Sequence, residues 1–233
     1  MNRARLATFR EGTRAAIPVC FGFLGITTAL GIAAHAAGLS LGETVLMSAV
    51  VFAAPAQFPA IELFPLAGKA VHILLSTLVI NLRFAIMSLA LVPHFSRVRK
   101  AALMPAAHLI SVSTFAVSFL RFQQKSSQEK FFYFLGVAIP SYTCYLVGTT
   151  VGYLFGARIP GGFEEGIQFV FPAYLTALLA AELRERQAIL LVGVAFLTTP
   201  VVERLVPGWG LILNAVLVAT GAVGMETWLA SRS

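Results

Sequence analysis

Arg83 is the residue of this 233-residue sequence that most needs a chemical explanation. It stands near the middle of Ala70–Leu91, where Asp, Glu and Lys are absent, between Asn81-Leu82 and Phe84. A cation at the centre of a bilayer costs about 2.5–3.5 kcal/mol on insertion scales, so it faces an interior and finds a partner. Two roles fit: Arg83 binds a substrate carboxylate or gates its path, or it ties its helix to backbone carbonyls that a proline break exposes. Gln57 follows Pro55-Ala56 directly, and its amide brings two donors and an acceptor to backbone that also needs partners. Asn81 offers the same groups. For both amides, ligand binding and interhelical hydrogen bonding are open. Glu62, in Ile61-Glu62-Leu63-Phe64-Pro65, is a carboxylate that would carry a coupling proton or else sit wet at the interface. Thr27-Thr28 and Thr149-Thr150 would line a path or pack helices.

Catalytic and cofactor patterns are missing from the sequence. His35, His72, His94 and His108 are scattered without metal-ligand spacing. His72 and Ser76 share a helical face with no third catalytic group beside them. A Walker A loop, a dinucleotide fingerprint and a His-Glu-x-x-His helix are also absent. The expectation is a protein that is not an enzyme and carries no cofactor or metal. Cys20 and Cys144 lie in apolar stretches and read as small packing residues, not as a disulfide framework.

The elements that position these groups belong in lipid. The chain is 58% hydrophobic and 12% charged, with a mean hydropathy of +0.84; soluble domains are about 45–50% apolar and about 25% charged. Ala15–Gly42 and Phe131–Ala157 contain no Asp, Glu, Lys or Arg. Roughly 20 apolar residues span the hydrocarbon as a helix, and the ~10-residue alternation of a barrel is lacking. The net charge of +7 sits in short loops, so it reports topology and not a nucleic-acid partner. Arg3, Arg5, Arg10 and Arg14 precede the first span, which favours a cytoplasmic N-terminus.

The expected fold is all-α, a polytopic transmembrane bundle forming one integral membrane domain. Its spans are Ala15–Ala37, Thr44–Leu66, Ala70–Leu91, Leu103–Leu120, Phe131–Phe155, Ile167–Ala181, Ala188–Val202 and Leu211–Leu229. Two halves resemble each other, about 14–121 and about 130–230. Ala16-Ile17-Pro18, Leu24 and Thr27-Thr28 recur as Ala138-Ile139-Pro140, Leu146 and Thr149-Thr150; Glu43 and Pro55-Ala56 find counterparts in Glu165 and Pro172-Ala173. Pro55, Pro59 and Pro65 interrupt one segment and Pro172 its counterpart. Proline removes a helix donor, and backbone broken at membrane depth must line protein or a watery cavity. Matched breaks favour two inverted repeats, each with a broken or re-entrant helix, and point to a transporter's central site. Helix ends beside Pro55 and Pro172 would hold a zwitterion's charges, with Arg83 on its carboxylate and Gln57 and Asn81 giving hydrogen bonds. A passive channel, or a subunit whose partner carries the activity, would use similar features.

Phe9-Arg10-Glu11-Gly12, Ala16-Ile17-Pro18, Ala37-Gly38-Leu39-Ser40, Phe52-Ala53-Ala54-Pro55-Ala56-Gln57-Phe58 and Asn81-Leu82-Arg83 resemble the AzlC family, the large subunits of bacterial branched-chain amino acid exporters. The resemblance implies proton-driven export of a small neutral amino acid across the inner membrane, together with a small AzlD-like membrane subunit. Departures exist. Ala54 stands where the family has glycine and Phe84 where it has histidine; Val112-Ser113 replace an Asp-Glu pair, and Gln168 an acid. The coupling ion therefore does not follow from the resemblance.

Overall fold

A computed structural model describes residues 3–64, 70–123, 125–158, 186–206 and 210–230, together with Phe169, Ala173 and Thr176. Pro65, Glu164, Glu165, Gln168, Pro172 and most of Ile167–Ala181 lie outside them, as do the side chains of His72 and Ser76. The described residues are helical, without strands: α1 Arg3–Ala15, α2 Ile17–Ala36, α3 Leu41–Val51, α4 Ala54–Leu63, α5 Ala70–Leu91, a 3-10 turn Val92–Phe95, α6 Lys100–His108, α7 Val112–Phe122, α8 Ser127–Gly156, α9 Arg186–Leu205 and α10 Gly210–Ala230. The all-α membrane bundle is as expected. Among the described residues, three helices are long and apolar enough to cross a membrane: Ile17–Ala36, Ile73–Phe95 and Gln128–Gly156. Ile73–Phe95 carries Arg83 at its midpoint.

The chain forms two compact units, Met1–Phe171 and Pro172–Ser233. In the first, α8 is the central post. It packs along α1 and α2, with α3 and α7 also against it. Small residues set that packing. A methyl on Gly136 would lie 3.1 Å from Gly12 Cα, one on Gly148 would lie 3.1 Å from Leu24 Cα, and one on Gly152 would lie 2.6 Å from Thr28 Cα. Glycine here removes the bulk that would hold two backbones apart. Gly152→Ala is expected to cost about 1–3 kcal/mol by overpacking, read as a lower unfolding temperature in detergent. Gly25→Ala, with nothing within 4 Å of its added methyl, should leave that temperature unchanged.

These contacts do not confirm the inverted-repeat expectation. Going up α2, the residues met on α8 also rise in number, so the two helices run parallel. α2 and α8 carry the matching Ala-Ile-Pro and Thr-Thr motifs, and inverted counterparts would run in opposite directions. The N-terminal helix and the start of α8 consequently share one end of the unit. Arg5 there donates to Gln128 at 3.2 Å, and Lys125 pairs with Glu11 at 2.7 Å.

The second expected span is broken, as its prolines imply. α3 begins in a capping box: Ser40 Oγ accepts from the Glu43 amide at 3.3 Å and the Glu43 carboxylate accepts from the Ser40 amide at 2.7 Å. The Ser40 hydroxyl, which donates to the Glu43 carboxylate at 2.7 Å, and the Ser40 amide with it hold the Glu43 carboxyl below the usual carboxylate range. α3 ends at Phe52 in the left-handed region (φ 45°), Ala53 is extended, and α4 restarts with Pro55 in its first turn. The fourth span, drawn whole as Leu103–Leu120, is also broken. α6 stops at His108, and α7 restarts where Ser111 and Thr114 cap each other, with the Thr114 amide donating to Ser111 Oγ at 3.1 Å. Serine as N-cap satisfies orphan amides inside an apolar run as well as a proline break would.

Two apolar clusters fill the first unit. One gathers Leu91, Phe95, Phe122, Phe131 and Phe134 at the end where α8 begins, and the other Leu30, Phe52, Phe58, Ile61 and Tyr145 around the α3–α4 break. In the second unit Asn214 joins α10 to α9: its Nδ2 donates to Thr199 Oγ1 at 2.7 Å, and its Oδ1 accepts from Thr198 Oγ1 at 2.8 Å.

Candidate functional site

The break between α3 and α4 is where polar groups collect at depth. Phe52 is the sole non-glycine residue with positive φ among those described, and it is 2% exposed. A bulky residue in that conformation costs on the order of 1–3 kcal/mol and persists only where its surroundings fix it. Here the rings of Phe23, Tyr142 and Tyr145 do so, with centroids 5.8, 5.0 and 4.9 Å from that of Phe52 in edge-on geometry.

Breaking the helix releases carbonyls that would have been paired. Ala53 no longer donates to Ala49, whose oxygen instead accepts from the Tyr142 hydroxyl at 2.9 Å and meets His108 Nε2 at 2.7 Å. His108 is the last residue of α6, so one backbone oxygen links the two broken helices and α8. The Val51 carbonyl loses its helical partner outright, because Pro55 has no N–H.

Gln57 sits one turn into α4 and is 1% exposed. Its Nε2 donates to Ser48 Oγ at 2.9 Å, and its Oε1 accepts from the Tyr145 hydroxyl. Thr149 Oγ1 reaches Ser48 Oγ at 3.3 Å and the Tyr145 carbonyl at 3.0 Å. Ser48, Gln57, Tyr145 and Thr149 therefore form one buried polar network across the break. Both ends of the Gln57 amide are engaged, leaving a single N–H for a further partner.

The other expected site residues are spread more widely. Pro55 is half-buried in the first turn of α4, beside the network, and Glu62 is exposed on the last turn. Asn81 and Arg83 are half-buried on α5, which packs against α4 and α7. Two residues apart on a helix, they point about 160° from each other, on either flank of the exposed stripe of Leu78, Leu82 and Ile86. The Arg83 guanidinium lies 5.1 Å from the Phe84 ring centroid. Asn81 Oδ1 is buried without a hydrogen-bond partner among the described residues. The described residues contain no cluster of three or more His, Cys, Asp or Glu able to hold a metal.

Ser48, Tyr142, Tyr145 and the His108 contact were not anticipated. Tyr142 and Tyr145, three apart inside an uncharged span, were the available signal, since an intramembrane hydroxyl needs an acceptor.

Comparison with known proteins gives the same kind of molecule. The family described as "AzlC protein" matches residues 18–159. Inner membrane protein YgaZ of Escherichia coli is 24% identical over 188 residues, covering 78% of this chain and 76% of that protein. The branched-chain amino acid transport protein AzlC of Bacillus subtilis is 25% identical over 167 residues, 72% of this chain and 65% of that protein. An uncharacterized membrane protein of Helicobacter pylori is 25% identical over 174 residues, 74% of this chain and 75% of that protein. No solved structure matches.

Proposed function

Because the chain belongs to the AzlC family, we propose that it is a secondary transporter that exports a small neutral amino acid, of the branched-chain class, across the bacterial inner membrane. The observation that carries this is the α3–α4 break, with its strained Phe52 and its buried polar network. Broken helices that point charged ends at a midplane site are how transporter folds bind small ions and zwitterions. The name of the Bacillus subtilis relative supports the substrate class, and that of the Escherichia coli relative supports the inner membrane.

In this mechanism the carbonyl end of α3, where the Val51 oxygen lacks a donor at Pro55, receives the ammonium group. The amide end of α4 at Ala54 and the Arg83 guanidinium receive the carboxylate. Gln57 holds the break in shape and offers its remaining N–H, while Pro55 fixes where α4 starts. Asn81 faces away from Arg83 on α5 and so makes no contact with the carboxylate that Arg83 holds, and Pro172 is the sequence counterpart of Pro55 in the second half. Glu62, wet at the end of α4, would pass a coupling proton. Phe23, Phe52 and neighbouring apolar groups take the aliphatic side chain. The basic α1 and the start of α8 lie on the cytoplasmic side. A small AzlD-like subunit completes the assembly, and the exposed apolar faces of the helices meet lipid. The mechanism involves no catalytic step or cofactor.

The test is efflux from cells loaded with radiolabelled leucine, valine or methionine, with and without the small subunit. Faster efflux that unlabelled branched-chain amino acids compete away is the expected result. Efflux equal to that of cells lacking the chain, from protein shown to be inserted, would overturn the proposal.

A further inference from the structure

His108 touches the α3–α4 break without a part in the binding just described. It is the last residue of α6, and its Nε2 lies 2.7 Å from the Ala49 carbonyl in the last turn of α3. A carbonyl oxygen only accepts, so Nε2 carries the hydrogen; the same oxygen takes the Tyr142 hydroxyl at 2.9 Å on its other lone pair. That tautomer leaves a lone pair on Nδ1, which has no hydrogen-bond partner among the described residues and belongs to an exposed side chain. A proton added there keeps the contact with Ala49 and turns the ring into a cation. The C-terminal ends of α3 and α6 meet at this imidazole, and helix C-termini carry the partial negative charge that suits a cation.

Ionisable groups around it are few. α8 presents Tyr142, its ring centroid 5.8 Å from that of His108, and α3 has no ionisable side chain at this end. Glu43 lies in the first turn of α3, Lys100 opens α6, Glu62 is in the last turn of α4 and Arg121 in the last turn of α7. Among the described residues, His108 is therefore the side chain at the break whose charge changes between about pH 5 and 8.

We propose that His108 is a proton-binding site that competes with the substrate's ammonium group for the carbonyl end of α3, which makes the carrier a proton–amino acid antiporter. The inference rests on reading the break as the substrate site. Ala49, which holds the imidazole, and Val51, whose oxygen receives the ammonium, belong to one helical turn with a pitch of ~5.4 Å. Like charges that close disfavour each other, so the site holds an imidazolium or an ammonium and not both. On the acidic side of the membrane Nδ1 takes a proton and the ammonium leaves. On the other side Nδ1 gives the proton up and a new ammonium enters. Glu62 stays the wet carboxylate at the far end of α4, whereas His108 touches the break itself.

The experiment measures leucine counterflow in proteoliposomes at equal pH on both sides, across the histidine range of about pH 5 to 8; leucine stays zwitterionic throughout. The half-saturating leucine concentration should rise toward tenfold per pH unit below the ordinary histidine value of about 6.5, as mutually exclusive binding requires. His108→Gln keeps a neutral donor to Ala49, so its half-saturation should be flat with pH. His108→Arg, a fixed cation at that place, should need about tenfold more leucine at every pH, as for a site one unit below that value. An acidic interior should also drive labelled leucine inward for the wild type and not for His108→Gln. Wild-type half-saturation that ignores pH, a pH dependence retained in His108→Gln, or an inserted His108→Gln that exchanges no leucine would overturn the proposal. Wild-type protein that exchanges no leucine at any pH would overturn the transport reading beneath it, and the proposal with it.

Discussion

Arg83→Ala is expected to reduce transport by roughly ten- to a hundredfold while the protein stays inserted and folded. A charge-assisted hydrogen bond to a carboxylate contributes about 1.5–3 kcal/mol, and each ~1.4 kcal/mol is a factor of ten. The motivation is positional. Arg83 is the cation at the middle of the apolar helix Ile73–Phe95, half-buried and not turned fully to the surface. Removing it relieves an insertion cost, so yield in the membrane should hold or rise. Transport and membrane yield measured on one preparation separate the roles. Lost transport with normal yield supports substrate binding; full transport would remove Arg83 from the site. Lost yield would return it to the structural role of tying its helix in place.

Gln57→Leu is expected to be the most damaging substitution for both fold and activity. It strands the Tyr145 hydroxyl and removes the donor to Ser48, in a position that is 1% exposed. An orphaned buried polar group costs about 1–3 kcal/mol, so the loss should show as a clear fall in unfolding temperature. Transport should be lost with it, because the break that shapes the site depends on this network. A double-mutant cycle with Tyr145→Phe checks the mechanism. If the two residues act through their shared hydrogen bond, the pair will cost less than the sum of the single changes. Additive costs would mean that Gln57 does not act through Tyr145.

The prolines made the α3–α4 break legible before any coordinates, because a missing N–H is a property of residue type. The helix drawn as Ala70–Leu91 was legible from hydropathy alone, with its C-terminal end at Leu91. The α6–α7 break was not, since its cause is a serine cap and not a proline at the stop, and capping residues blend into an apolar run. The relative direction of the helices was not legible for a related reason. Charge counts and proline positions do not report which way two helices run, whereas the glycine contacts between α2 and α8 do. Gln57 was recognised as a residue under demand, but its partners lie 9 and 88 positions away, a pairing that no local pattern encodes. Asn81 and Arg83 looked like neighbours in sequence and face apart on the helix.

Counterflow tests the account most directly. Proteoliposomes containing this chain and loaded with unlabelled leucine should accumulate labelled leucine from outside, above its equilibrium level and transiently, because a carrier exchanges one substrate for another through a single site. Equilibration without overshoot, from protein shown to be folded and inserted, would contradict the account: the α3–α4 break would then line a passive pore or a silent subunit.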